Sequence, residues 1–312
     1  MGTPEFAIPA LAAVRECCEL VAVVAQPDRP QGRGQRSARP PTARWAEERG
    51  FAILQPEKVR TPEFLSALSA LAPEIVIVVA YGRILPRAVL DLPARGCLNV
   101  HASLLPRYRG AAPIQWAIAR GESETGVTLM QMEEGLDSGP VLLQRSCPID
   151  PDETGEALAT RLSILGADLL REGLPLLVRG ALVPAPQDAA QVTLAPPLTR
   201  EDAWLDFTRP ARELHDRVRA FQPWPAARCA LPGGATIKIL RTAVAEGNGP
   251  PGQLLAAGRD GLLVGTGLGA LRLLELQPEG RRRMQAGEFL AGHPIAAGSR
   301  LGGRAAPPPV DV

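Results

Sequence analysis

Two continuous aliphatic runs of strand length lie among amphipathic helices, and a proline-rich stretch then gives way to short aliphatic runs parted by glycine turns. Together these predict an α/β chain: a doubly wound parallel sheet followed by a small β-barrel of the OB type. The first runs are residues 20–25 and 74–80; strands apolar on both faces belong in a parallel sheet covered by helices. The later ones are residues 235–243, 252–256, 261–266 and 270–276. A length of 312 residues suits two domains.

In chain order, residues 1–6 read as a loop and 7–16 as a helix, with further helices at 42–49 and 62–71. Residues 26–41 form a loop too long and too basic to be a mere connector. It holds Arg29, Arg33, Arg36 and Arg39, with Arg44 just beyond and Asp28 as the only acid. The Gly32-Arg33-Gly34 core lets backbone approach a partner, and guanidinium groups suit a phosphate backbone. A solvated charged loop is the alternative. Pro113 fits the first turn of a helix through residue 118. From Glu153, Leu158, Leu162, Leu165 and Leu169 recur at helical spacing, so Asp152 reads as an N-cap and Gly173 with Pro175 as a break or kink. Residues 183–199 contain Pro184, Pro186, Pro196 and Pro197 without periodicity and read as a linker. Ala211, Leu214, Val218 and Phe221 then mark an amphipathic helix that stops before Pro223. Arg281, Arg282 and Arg283 cluster after the last strand, and the tail with Pro307 to Pro309 reads as disordered. The expected division is a first domain over residues 1–183, a linker over 184–202, the barrel over 203–304 and the tail over 305–312.

Apolar residues at 46% and charged residues at 21% are globular composition. Arginine replaces lysine except at Lys58 and Lys238, which weakens inference from arginine alone. The net charge of +1 hides an asymmetry, since residues from Ala203 on carry 14 basic and 9 acidic side chains against 20 and 24 before it. Five cysteines without a C-x-x-C pair point to a reducing, cytoplasmic setting and away from structural zinc. No apolar run approaches the roughly 18 residues of a membrane span, and no charged leader precedes an apolar segment. Gly265-Thr266-Gly267-Leu268-Gly269 lacks a βαβ setting and reads as a turn, and no G-x-G-x-x-G follows a first strand, against a dinucleotide oxidoreductase. His215 and His293 lack ligand-like spacing and are assigned to a helix surface and a turn.

The chemistry concentrates between Gly96 and Gly139. Residues 97–101 read as a strand, which puts Asn99 and His101 on one face about 7 Å apart before a Pro/Gly/Arg loop. The next strand, residues 125–132, leads to Asp137 between Gly135 and Gly139. An amide, an imidazole and a carboxylate at neighbouring strand ends could converge on one reacting centre. They also admit a structural reading as a half-buried histidine, a turn amide and a loop cap.

Ser103-Leu104-Leu105-Pro106-Arg107-Tyr108-Arg109-Gly110-Ala111-Ala112-Pro113-Ile114 resembles the signature of enzymes that transfer formyl from 10-formyltetrahydrofolate, and Asn99, His101 and Asp137 match their catalytic triad. Gln26-Pro27-Asp28-Arg29-Pro30 with Gly32-Arg33-Gly34 resembles a tRNA-facing insertion. Phe221-Gln222-Pro223-Trp224-Pro225 and Leu276-Gln277-Pro278 resemble the matching C-terminal domain. Over nearly its full length the chain is thus similar to the methionyl-tRNA formyltransferase family. The resemblance implies a Rossmann-like first domain and attack of the α-amino group of methionine, esterified to initiator tRNA, on the donor's formyl carbon. Asn99 would donate to the oxyanion and protonated His101 would add a charged donor. Asp137 would orient His101 and accept the amine proton directly or through water, with the choice of proton carrier between the two left open. The folate would lie along Val79, Ala80, Tyr81, Gly82, Ile84 and Leu85, and along Ser103, Leu104, Leu105 and Pro106. Arg29, Arg33 and Arg36 would clamp the acceptor end, with Arg281, Arg282 and Arg283 adding backbone attraction. No metal, nicotinamide, membrane or obligate protein partner is implied.

Two departures stand out. The family begins with a strand before the Gly2-Thr3-Pro4 loop, and its absence here leads us to expect a natural start several residues upstream. Where relatives often carry a linker lysine, this chain has Pro196-Pro197. Two other readings are a formyltetrahydrofolate-dependent transferase for an amino-sugar nucleotide or purine precursor, against which the Arg-rich insertion and basic barrel argue, and a catalytically inactive RNA-binding relative.

Overall fold

In the first unit (Met1–Pro113, Glu124–Pro148 and Leu158–Pro196) short aliphatic strands are interleaved with helices. The computed structural model describes residues 1–31 and 36–303, so Arg33 and the tail from Arg304 lie outside the described residues. Helix α1 (Ile8–Cys17) precedes β1 (Ala22–Val24). The basic segment after it, expected to be irregular, contains an antiparallel hairpin of β2 (Arg29–Gln31) and β3 (Arg36–Ala38). Helix α2 (Pro41–Glu47) leads to β4 (Ala52–Leu54), which pairs in parallel with β1. Helix α3 (Pro62–Ala70) is capped by the Thr61 hydroxyl, which accepts from the Phe64 N–H.

A four-stranded sheet follows in the order β5-β6-β8-β9, from β5 (Val76–Val78), β6 (Cys97–His101), β8 (Glu124–Gln131) and β9 (Val141–Pro148). The short helix α4 (Arg87–Leu90) joins the first two strands, and β7 (Arg109–Gly110) with α5 (Pro113–Ala119) lies between β6 and β8. Pairing of β5 with β6 is parallel, but β6-β8 and β8-β9 are antiparallel, which corrects the all-parallel expectation. The chain after β6 re-enters the sheet from the carboxyl end of that strand, so His101 faces Thr128. Strand direction depends on the re-entry point, and six consecutive buried residues in β8 leave no trace of it.

Helix α6 (Gly155–Val178) runs unbroken through Gly173 and Pro175, against the expected break. Gly173 is there for packing: a Cβ would lie 2.7 Å from Leu129 Cδ2, and one at Gly166 2.9 Å from Val100 Cγ1. The helix therefore lies close against the sheet along its glycines. Its N-terminal cap is Thr154, whose hydroxyl accepts from the Ala157 N–H at 3.2 Å, and not Asp152.

Met1 and Gly2 sit between the open edges of β1 and β5. The Gly2 N–H donates to Val24 (2.9 Å), the Val79 N–H to Met1 (2.9 Å), and the α-amine to the Ile77 carbonyl (2.5 Å). Of the first strand expected from the family pattern, the chain thus supplies one parallel bridge, Gly2 to Val79. A groove lined by Ala10, Leu11, Val14, Ala22, Ile75 and Ile77 adjoins these residues. Burial pushes the amine down to about 5.

The second unit comprises Ile114–Ser123, Ile149–Ala157 and the described chain from Pro197 on. Helix α7 (Ala211–Ala220) and the short α8 (Ala286–Gly292) accompany a six-stranded antiparallel sheet. Its strands are β11 (Arg228–Ala230), β12 (Thr236–Ala245), β13 (Leu254–Gly258), β14 (Gly261–Gly265), β15 (Ala270–Pro278) and β16 (Met284–Gln285). Their order is β11-β12-β15-β14-β13, with β16 on β15. The edge strands β11 and β13 do not pair with each other, so strand pairing does not close the expected barrel; Gly302 and Arg300 make single bridges to Ala230 and Gln253. Ile237, Ile239, Leu254, Val264, Leu271 and Leu273 form the core with Leu214, Val218 and Phe289. His215, expected on a helix surface, is buried: its ring nitrogens approach Thr242 Oγ1 (3.1 Å) and Asp152 (3.2 Å). Beside it Arg219 pairs with Asp216 (2.8 Å) and donates to the carbonyls of Asp150 and Glu153, so this helix face is polar yet satisfied. His293 stacks on Phe289 at the end of α8. Among the described residues, no helix is long and apolar enough to cross a membrane.

Candidate active site

Strand β6 delivers Asn99 and His101 to the same face, and the loop after it folds back over His101. The His101 Nε2 lies 2.9 Å from the Tyr108 carbonyl. A carbonyl only accepts, so Nε2 carries a proton and Nδ1 is the nitrogen turned toward Asp137, at 3.7 Å. His101 is 6% exposed and Asp137 17%, so the pair is largely shielded from water. The Asp137 carboxylate also accepts from the Gly110 N–H at 2.8 Å. Asn99 is half-buried two residues before His101.

Both loops hold backbone in unfavourable regions, with Tyr108 at φ +60° and Asp137 at φ +47°. Such residues cost on the order of 1–3 kcal/mol and persist only where their surroundings fix them. Here the fixing contacts are explicit. The Tyr108 N–H donates to the Thr193 hydroxyl (2.8 Å) and its carbonyl accepts from His101. The signature loop is further pinned by Thr128, which donates to the Ser103 carbonyl (2.6 Å) and accepts from the Leu105 N–H (3.1 Å) and Gln144 Nε2 (2.9 Å). Gln144 also donates to the Leu105 carbonyl at 2.8 Å. Thr128 and Gln144 escaped the sequence reading, although a threonine buried inside a largely apolar strand is a signal. Gln187 and Thr193 escaped it as well, and the proline-rich composition around them offers no signal.

Gly110, at φ +125°, must be glycine, because a Cβ would lie 2.5 Å from the Ala195 carbonyl oxygen. Gly110→Ala is expected to cost on the order of 1–3 kcal/mol and to lower the reaction rate with it. Thermal melting and turnover of the variant check this; wild-type values in both would show that the contact yields.

The other sequence candidates divide by exposure. Val79, Tyr81, Ser103 and Leu105 are buried and Leu85 is 3% exposed, so these offer a ligand mainly backbone. Leu104 and Pro106 are half-buried, Ala80 and Gly82 exposed with left-handed backbone, and Leu105-Pro106 is cis. Ile84 is 74% exposed and Leu136, next to Asp137, 60% exposed, leaving large apolar side chains open on both loops. Among the arginines, Arg29 is exposed on β2, Arg36 lies on β3 and Arg281 is exposed. Arg282 pairs with Glu288 and Arg283 with Glu275 at 2.6 Å; the latter contact holds the Glu275 carboxyl below its ordinary range. Among the described residues no cluster of three His, Cys, Asp or Glu side chains is placed to hold a metal ion.

Two family descriptions match the chain: Formyl transferase over residues 6–174, and Formyl transferase, C-terminal domain, over residues 197–294. A methionyl-tRNA formyltransferase from Myxococcus xanthus is 53% identical over 300 residues, covering 96% of each chain. One from Geobacter sulfurreducens is 50% identical over 303 residues, covering 97% of this chain and 95% of that one. Among solved structures, the sugar 3N-formyl transferase WlaRD superposes with a TM-score of 0.64 at 16% identity, over 90% of this chain and 97% of that one. HypX from Aquifex aeolicus, crystallised with tetrahydrofolic acid, gives 0.58 at 22% identity; the match covers 78% of this chain and 43% of HypX. At such identities the structural likeness speaks for the fold alone. The near-full-length identity of about one residue in two speaks for more, and the chain belongs to the methionyl-tRNA formyltransferase family of formyl transferases.

Proposed function

We propose that Asn99, His101 and Asp137 carry the transfer of the formyl group of 10-formyltetrahydrofolate to the α-amino group of methionine on initiator tRNA, for translation initiation. The observation that carries the reading is the shielded His101–Asp137 pair, 3.7 Å apart, with the carboxylate anchored on the Gly110 N–H. The donor supplies an activated formyl carbonyl. Exposed Ile84 and Leu136 offer apolar contact to the faces of its rings, and backbone from residues 79–85 and 103–106 suits the polar edges of its pterin. Asn99 donates an amide N–H to the oxygen that gains charge as the amine attacks. His101, fixed by Tyr108, presents Nδ1 toward Asp137, and that carboxylate takes the amine proton directly or through water. The test is incubation with 10-formyltetrahydrofolate and charged initiator or elongator methionyl-tRNA. Formylmethionine is expected on the initiator alone; none on either sinks the reading.

In the same reading Arg29, Arg33 and Arg36 contribute to binding the acceptor end of the tRNA, and Arg281, Arg282 and Arg283 add attraction to its backbone. Arg29→Ala and Arg33→Ala are each expected to lower the slope of log affinity against log salt by up to about one unit. Arg283→Ala should lower it less, because Glu275 already engages that guanidinium. Filter binding of initiator tRNA across a salt series measures this. Unchanged affinity, slope and kcat/KM in Arg33→Ala would make the loop a solvated connector.

A further inference from the structure

Residues 185–196, whose prolines predict a linker, run across the two loops that carry the site. Val141 and Ala185 exchange both backbone hydrogen bonds at 2.8 Å, beside the Asp137 loop. Strand β10 (Leu194–Ala195) pairs in parallel with β7 of the signature loop, and the Arg109 N–H donates to the Thr193 carbonyl at 2.9 Å. Between these anchors lies Gln187. Its Nε2 donates to the carbonyls of Asp137 (2.8 Å) and Gly139 (2.7 Å), and its Oε1 accepts from Arg109 Nε (3.0 Å) and Nη2 (2.7 Å).

We propose that Gln187 is a positioning residue that clamps the Asp137 loop to the signature loop through Arg109, and so sets where the Asp137 carboxylate stands. The amide is saturated: two N–H groups on two carbonyls, two lone pairs on one guanidinium fork. No other uncharged side chain of that reach offers two donors and two acceptor sites, and Asn is one methylene short. Asp137 needs such a clamp, because its left-handed backbone would relax if the loop were free. Its carboxylate is held separately by Gly110, which sits on the strand that β10 pairs with. Both ends of Asp137 therefore depend on the strap. The assignment also gives Arg109 of the signature segment a task inside the protein.

The inference rests on the role given above to Asp137, and the experiment separates the two. Gln187→Ala, Gln187→Glu, Asp137→Asn and the double variant Asp137→Asn/Gln187→Ala are compared in formyl transfer, thermal melting and amide hydrogen exchange. A displacement of the order of 1 Å can cost about 10²-fold in rate. For Gln187→Ala we expect kcat to fall ten- to a hundredfold, KM for donor and tRNA to stay within about threefold, and exchange across residues 133–139 to quicken. Gln187→Glu keeps the acceptor for Arg109 but loses both donors to the carbonyls, so it should resemble Gln187→Ala. In the Asp137→Asn background the Gln187 change should cost little more, because its effect passes through Asp137. A fully active Gln187→Ala beside an inactive Asp137→Asn overturns the clamp alone. Additive losses in the double variant, or an active Gln187→Glu, also overturn it. An active Asp137→Asn overturns the role of Asp137 and the clamp with it.

Discussion

His101→Ala is expected to slow single-turnover formyl transfer by on the order of 10²–10³, with Asn99→Ala and Asp137→Asn close behind. The three side chains act on one developing charge and one departing proton, so the losses should be far from additive in combination. His101 links three pieces of backbone logic. Strand β6 aims it, the Tyr108 carbonyl fixes its Nε2–H, and Asp137 faces its other nitrogen at 3.7 Å. Because the ring is 6% exposed, removing it also leaves a void, and a melting curve must accompany each rate. The expected pattern is a loss of rate much larger than the loss of stability. Transfer by folded His101→Ala within a few-fold of wild type would remove His101 from the mechanism.

How much of this could be read from the sequence follows from which physical signals are local. Strands β1 and β5 and helix α3 were legible because hydrophobic period is local. The four longer strands of the second unit were legible for the same reason, to within two residues at their ends. Asn99 and His101 were placed on one face by simple alternation. What failed was non-local. The pairing of β2 with β3 hides in a run of Arg and Pro, and α6 passes through Pro175 while packing on the sheet at Gly166 and Gly173. The Pro-rich segment reads as a linker without a partner, yet its β10 backbone pairs with residues 85 positions earlier. His215 looked like a surface residue because its partners, Asp152 and Thr242, lie 63 and 27 positions away. The Thr128 and Gln187 contacts are of this kind too, and they decide how firmly the site is held.

The largest expected effect on stability comes from the other end of the chain. In a protein whose chain starts at Met1, the α-amine is enclosed between β1 and β5 with the Ile77 carbonyl as its hydrogen-bond partner. Burial disfavours the ammonium form and lowers the amine from about 8 to about 5. Between those values the unfolded chain binds a proton that the folded chain excludes, so stability rises with pH. The amine's full contribution is present above about pH 8, is lost as pH falls toward 5, and is constant below that. Three units at 1.36 kcal/mol each make the span on the order of 4 kcal/mol, a sizeable part of a domain's stability. Denaturant unfolding at a series of pH values measures the slope. Acetylating the α-amine, or adding any residue before Met1, replaces the titrating group with an amide and should abolish that slope. If the slope survives in the acetylated protein, carboxylates or histidines cause it and the amine is not held as described. If the slope is absent from the start, Met1 does not stay between the two strands, and the open edges of β1 and β5 must be satisfied by other groups.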